Sequence, residues 1–211
     1  MRIVALALAL VAATAQAGWS ADQPVHIVVL GDSLVAGLGL AIDAAFPAKL
    51  ERALQSQGVN VKIDNAGVSG DTASNGLDRL DWSVADGADA VIVEFGANDA
   101  LRGTDPKMTR AALDGILLRL QARHIPVLLA GMQAPRNMGP AYTAEFDAIF
   151  PELAARHAVL LYPFFLEGVA ADLKLNQSDG MHPNAAGVDV IVERIAPKVK
   201  ELVGQAQARR K

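Results

Sequence analysis

The chain has 211 residues, a formal net charge of −4 and no cysteine. Thiolate catalysis and cysteine-based zinc sites are therefore excluded. No basic run or aromatic–basic stripe supports nucleic-acid binding, and the terminal Arg209-Arg210-Lys211 is too short for it.

Met1-Arg2 opens with a positive charge, residues 3–11 are continuously apolar, and Ala15-Gln16-Ala17 places small residues two apart. This is the pattern of a secretory signal peptide cut after Ala17. The run is shorter than a bilayer span of about 20 residues, and no later segment is long and apolar enough for stable membrane insertion. The expected division is a leader over 1–17 and a single domain over 18–211, periplasmic or secreted.

A strand is expected over 26–30, where Ile27-Val28-Val29-Leu30 runs into Gly31 and then Asp32-Ser33-Leu34. A helix over 46–57 and a strand over 59–63 follow, then the loop Asn65-Ala66-Gly67-Val68-Ser69-Gly70-Asp71 and a helix around 72–83. The third strand, 90–95, ends in Gly96-Ala97-Asn98-Asp99. Asp105-Pro106 is a cap-then-proline start. Leu113, Ile116, Leu117 and Leu120 then recur at i, i+3, i+4 and i+7, which marks a helix with one buried face. A strand over 126–130, a helix around 143–156 and a strand over 159–162 come next. The last helix carries Val188, Ile191, Val192 and Ile195, and Pro197 is expected to kink or break it.

Apart from Lys62 and Glu94 the strands are nearly uniformly apolar, as strands covered on both faces are. Repeated strand–helix alternation implies an α/β fold with a five-stranded parallel sheet and helices on both faces. Right-handed crossovers restrict the topology, and the flavodoxin-like order 2-1-3-4-5 is expected. Ligands of such sheets bind beyond the carboxyl ends of the strands.

That rule gathers four segments on one edge. Ser33 stands where the first strand turns into a helix; it either caps that helix or serves as a nucleophile, which needs a base within hydrogen-bond reach. Of the four histidines, His26, His124 and His157 lie at element ends, where hydrogen-bonded rings are expected. His182 lies in a Gly/Pro-bounded loop three residues after Asp179, a spacing that lets a carboxylate hold one ring nitrogen while the other faces Ser33. Gly70 allows close backbone approach, and Asn98 offers an amide donor. Each also has a plain structural use, as a tight bend and as a cap. Together they form the inventory of acyl transfer: nucleophile, base, orienter and oxyanion donors. The partial glycine pattern at 37–42 lacks the third glycine of a dinucleotide fingerprint, and no two-histidine motif supports a metal. Ala100, Leu101, Gln133, Ala134 and Pro135 are candidate substrate-pocket residues. Residues 136–140 are a candidate mobile segment, while Phe164 and Phe165 are expected in the core. Glu94 has no assigned chemistry and is expected to be a buried structural carboxylate.

Gly31-Asp32-Ser33-Leu34, Gly70 within Ser-Gly-Asp-Thr, Gly96-Ala97-Asn98-Asp99 and Asp179-Gly180-Met181-His182-Pro183 resemble the four ordered blocks of the SGNH (GDSL) hydrolases. The resemblance spans about residues 25–203 and is closest to the bacterial periplasmic thioesterase I / lysophospholipase group and its arylesterase relatives, with similar Leu101-Arg102-Gly103 and Pro163-Phe164-Phe165. It implies a three-layer α/β/α sandwich, no metal and no cofactor. It implies Ser33 as nucleophile, Asp179 and His182 as the rest of a triad, and an oxyanion hole of Ser33, Gly70 and Asn98. Many relatives carry Tyr where this chain has Leu38, a difference that bears on pocket shape rather than chemistry.

The expected function is therefore hydrolysis of small-molecule acyl esters or thioesters through an acyl-enzyme, with His182 neutral in the free enzyme so that activity falls at acidic pH. The alternatives are a carbohydrate O-deacetylase with the same machinery, a catalytically inactive lipid or carbohydrate binder, and a nucleotide-binding domain, against which the lack of any phosphate-cradling motif counts. Oligomeric state and acyl preference stay open.

Overall fold

The structure, a computed structural model, describes residues 23–210, so the expected leader over 1–17 lies outside the described residues. Within them, strands β1 (Val25–Gly31), β2 (Val61–Gly67), β3 (Ala90–Glu94), β4 (Val127–Ala130) and β5 (Leu160–Tyr162) form one sheet. Every pairing is parallel and the order is β2-β1-β3-β4-β5, as expected. The helices are α1 (Ser33–Ala36), α2 (Phe46–Ser56), α3 (Ala73–Asp78), α4 (Leu80–Ser83), α5 (Ala97–Leu101) and α6 (Pro106–Ala122). They continue with α7 (Pro140–Asp147), α8 (Ile149–His157) and α9 (Ala185–Arg209). The fold is a three-layer α/β/α sandwich in which α2 and α9 pack together in one layer and α3, α6 and α8 pack together in the other.

The central strands are buried on both faces, which is why Ile27, Val29, Leu30, Ile92, Val93, Leu128 and Leu129 follow one another without alternation. Phe46 of α2 meets Phe165 edge-on with centroids 4.9 Å apart, so Phe165 belongs to the core as expected.

Four expectations change. β2 begins two residues later and runs to Gly67. The Val59 N–H is still bonded to the α2 carbonyl of Leu54, and β2 is an edge strand with an exposed side, so Asp64 and Asn65 fit within it. The helix around 72–83 divides at Arg79, whose guanidinium turns inward, and the helix around 143–156 divides at Ala148. Pro151 explains the second division: without an N–H it fits the first turn of a new helix better than the middle of an old one. Pro197, by contrast, does not end α9. Pro197 is exposed, and Ile195, Ala196, Val199 and Leu202 anchor the helix on either side of it.

Away from the carboxyl edge of the sheet, side chains lock elements together. His157 at the end of α8 is buried, with Nε2 2.6 Å from Asp114 of α6, and the His26 ring meets Asp64 of β2 at 2.7 Å. Arg210 joins the two described chain ends at the start of β1, donating to the Gln23 and Pro24 carbonyls and to the Asp89 carboxylate.

Candidate active site

Gly31, the last residue of β1, has no room for a side chain between β3 and Val35 of α1. A Cβ on Gly31 would lie 2.7 Å from the Glu94 carbonyl oxygen and 2.8 Å from Glu94 Oε2. The turn that follows is capped by Asp32, whose Oδ1 accepts the Leu34 N–H at 2.9 Å. Ser33 is thus the first residue of α1 and not its cap, so its hydroxyl is free for another partner.

That partner is His182. Ser33 Oγ lies 2.9 Å from His182 Nε2, and His182 Nδ1 lies 2.6 Å from Asp179 Oδ2. With the proton on Nδ1, the ring donates to Asp179 and accepts the Ser33 hydroxyl proton. The backbone N–H groups of His182 and Met181 both donate to Asp179 Oδ1, at 3.0 and 2.9 Å. These two N–H groups and the ring, in that order of effect, hold the Asp179 carboxyl down to about 2. It is ionised across the whole neutral range, and the linkage sign follows: its contribution to stability is present above the ordinary carboxylate range and fades as pH falls toward about 2.

The loop carrying this pair is fastened by Gln177, which sequence reasoning did not single out. The Gln177 N–H donates to the His182 carbonyl at 2.7 Å, and its side-chain amide donates to the Leu38 and Pro183 carbonyls at 2.7 and 3.0 Å. One glutamine thereby ties the histidine loop to the segment after α1.

Asn98 stands in the first turn of α5, after Gly96. Its Nδ2 donates to Asp32 Oδ2 and to the Asp71 carbonyl, each at 3.0 Å. Gly70, one residue before Asp71, takes a left-handed conformation with φ +88°, which favours glycine. Its carbonyl accepts from Arg102 at 2.8 Å, while the Ser33 and Gly70 N–H groups have no acceptor among the described residues. Arg79, also missed from sequence, holds this loop from beneath. It donates to Asp71 Oδ2 at 2.6 Å and to the carbonyls of Ala66 and Gly31 at 2.9 Å each. Asp99 is structural, accepting from the Ala73 N–H and the Thr109 hydroxyl.

Burial pushes the Asp32 carboxyl up to about 6 against the pull of the Leu34 N–H, the Asn98 amide and nearby His182. Glu94, at the end of β3, is fully buried and is pushed well above the usual range, by burial first and by the Asp32 charge second.

A cleft of about 490 Å³ opens beside Ser33, Asn98 and His182. Ala100, Leu101, Gln133, Ala134 and Pro135 all line it. So do Met132, Leu166, Ala170 and Met181, which the sequence did not mark, and Phe164, which was expected in the core. Phe164 is half-buried with one side on the cleft, whereas its neighbour Phe165 is fully enclosed. Residues 136–138 form a 3₁₀ turn. Arg136 is bonded there to Asp147 and Gln133 at 2.7 and 2.8 Å.

Residues 29–190 match the GDSL-like Lipase/Acylhydrolase family. The crystal structure of AlinE4, a SGNH-hydrolase family esterase, is 48% identical and superimposes with a TM-score of 0.73, covering 86% of this chain and 98% of that one. Esterase TesA of Pseudomonas aeruginosa is 37% identical over 178 residues, 84% of this chain and 89% of the relative. Thioesterase 1/protease 1/lysophospholipase L1 of Escherichia coli is 38% identical over 178 residues, 84% of each chain. The chain belongs to the GDSL-like lipase/acylhydrolase family and is an ester-hydrolysing enzyme of it.

Proposed function

We propose that Ser33, His182 and Asp179 form the catalytic triad for hydrolysis of carboxylic esters and acyl thioesters. The carrying observation is the unbroken chain from Ser33 Oγ to His182 Nε2 and from His182 Nδ1 to Asp179. As Ser33 attacks the acyl carbon, its proton passes to His182 Nε2, and Asp179 stabilises the imidazolium. The negative oxygen of the tetrahedral intermediate is received by the Ser33 and Gly70 N–H groups and by Asn98. Asn98 offers the hydrogen now given to the Asp71 carbonyl, while Asp32 keeps hold of the other. His182 then protonates the leaving alcohol or thiol, and water repeats the sequence to release the acid. The mechanism uses no metal or other cofactor. A fluorophosphonate probe is expected to label the protein on the peptide containing Ser33; labelling elsewhere, or none, overturns the assignment.

The cleft wall formed by Leu101, Met132, Phe164, Leu166 and Met181 suits an acyl chain. Ala170, small and exposed, lines the same cleft. Ala170→Trp is expected to lower kcat/KM for long-chain relative to short-chain p-nitrophenyl esters by at least about 10-fold, the scale of a few displaced methylenes. An unchanged ratio places the chain elsewhere. Residues 1–17 support export with cleavage after Ala17, so Edman sequencing of protein recovered outside the cytoplasm is expected to begin at Gly18. A retained Met1 removes that reading.

A further inference from the structure

We propose that Glu94 is a positioning residue that carries a proton at neutral pH and thereby leaves the single negative charge of a buried carboxyl pair on Asp32, where it orients the Asn98 amide. The inference rests on the oxyanion role proposed for Asn98. Its basis is an asymmetry in how the two acids are bonded.

Asp32 and Glu94 are both completely buried, and β1 and β3 bring them together because Gly31 stands opposite Glu94 in the parallel register. Asp32 has a donor on each oxygen: the Leu34 N–H on Oδ1 and the Asn98 amide on Oδ2. Glu94 has almost nothing. Its Oε2 receives the Asp32 N–H at a long 3.4 Å, and its Oε1 has no partner. A carboxylate so poorly bonded cannot hold charge in a closed interior, whereas one with two donors can. The remaining charged neighbours agree with a single negative charge. His182 favours ionisation of Asp32 and Asp99 opposes it. Arg79 approaches from the α3–α4 side, with its guanidinium on the Gly31 carbonyl and 5.9 Å from the Phe95 ring; Asp71 already pairs with it.

The neutral state of Glu94 therefore has a task. A second charge beside Asp32 would drive a proton onto Asp32, and a protonated Asp32 would lose its grip on the Asn98 hydrogen. The oxyanion donor would then swing without being cut out. A glutamine at 94 keeps the neutral, polar shape; a leucine keeps the volume but removes the polar contact with the Asp32 N–H.

Wild type, Glu94→Gln and Glu94→Leu distinguish these roles. Infrared difference spectra at pH 7 between wild type and Glu94→Gln are expected to show a protonated-carboxyl C=O band belonging to wild type alone. Both Glu94→Gln and Glu94→Leu remove the second acid and leave the charge on Asp32, so each is expected to retain kcat within a few fold at pH 7, with little change in KM. Since the folded state holds a proton that the unfolded chain releases, wild-type stability falls as pH rises above the ordinary carboxylate range, and Glu94→Gln flattens that slope. Absence of the infrared band, or a loss of kcat in folded Glu94→Gln as large as that expected for Asn98→Ala, overturns the proposal. If Glu94→Leu does not fold, the band and the slope decide it. Should the band be present while Asn98→Ala leaves kcat intact, the protonated Glu94 stands and the oxyanion reading fails.

Discussion

Ser33→Ala is expected to lower kcat by at least about 10³-fold on esters and thioesters alike, with KM and the melting temperature close to wild type. The substitution removes one hydroxyl from a residue that does not cap its helix, since Asp32 does, and that hydroxyl is bonded to His182 Nε2 at 2.9 Å. Little folding energy is at stake. What disappears is the oxygen proposed to form the bond to the acyl carbon. Residual turnover comes from whatever the oxyanion donors and binding supply to a water attack, and that residue is shared by the other triad variants. Adding His182→Ala to Ser33→Ala is accordingly expected to cost almost nothing further, because the two groups act as one unit. Hydrolysis at wild-type rate by Ser33→Ala would require another nucleophile.

Asn98→Ala is expected to lower kcat by about 10²- to 10³-fold, or ~2.7–4 kcal/mol of transition-state stabilisation, with a smaller effect on KM. An oxyanion donor acts on charge that develops only during the reaction, so the loss belongs in kcat. This variant differs from Ser33→Ala in its second consequence. Asp32 is completely buried and accepts one of the Asn98 hydrogens, so removing the amide leaves a desolvated carboxyl with one donor fewer. A fall in melting temperature is expected to accompany the fall in kcat, and it should be larger at pH 8 than at pH 5. Burial has already moved Asp32 to about 6, so below that value the group takes up a proton and the missing donor matters less. A drop in melting temperature with unchanged kcat would assign Asn98 to scaffolding alone.

The sequence made the central sheet legible because β1, β3 and β4 are buried on both faces and show it in unbroken apolar runs. β2 was displaced in the reading because an edge strand tolerates Lys62, Asp64 and Asn65, which dilute the apolar signal. Pro197 misled because a proline's local cost was weighed without the packed residues that flank it in α9. Among the proposed site residues, Ser33 opens α1 just after β1, Gly70 follows β2, Asn98 opens α5 just after β3, and Asp179 and His182 lie in the loop before α9, positions where local spacing and fold position coincide. Arg79, Gln177 and the Asp32–Glu94 contact were not readable in that way. Each works across distances of many residues in the chain — Gln177 reaches back to Leu38, Arg79 to Gly31 — and no periodicity records such a reach. Phe164 and Phe165 show the limit most sharply: identical adjacent residues, one facing a cleft and one enclosed.

The junction that Arg210 makes with Gln23, Pro24 and Asp89 lies where the strands begin, at the end of the sheet away from Ser33. Both described chain ends, Gln23 and Arg210, thus lie at the back of the molecule. Linking the enzyme to a resin or carrier protein through either end would therefore leave its mouth turned toward the bulk liquid.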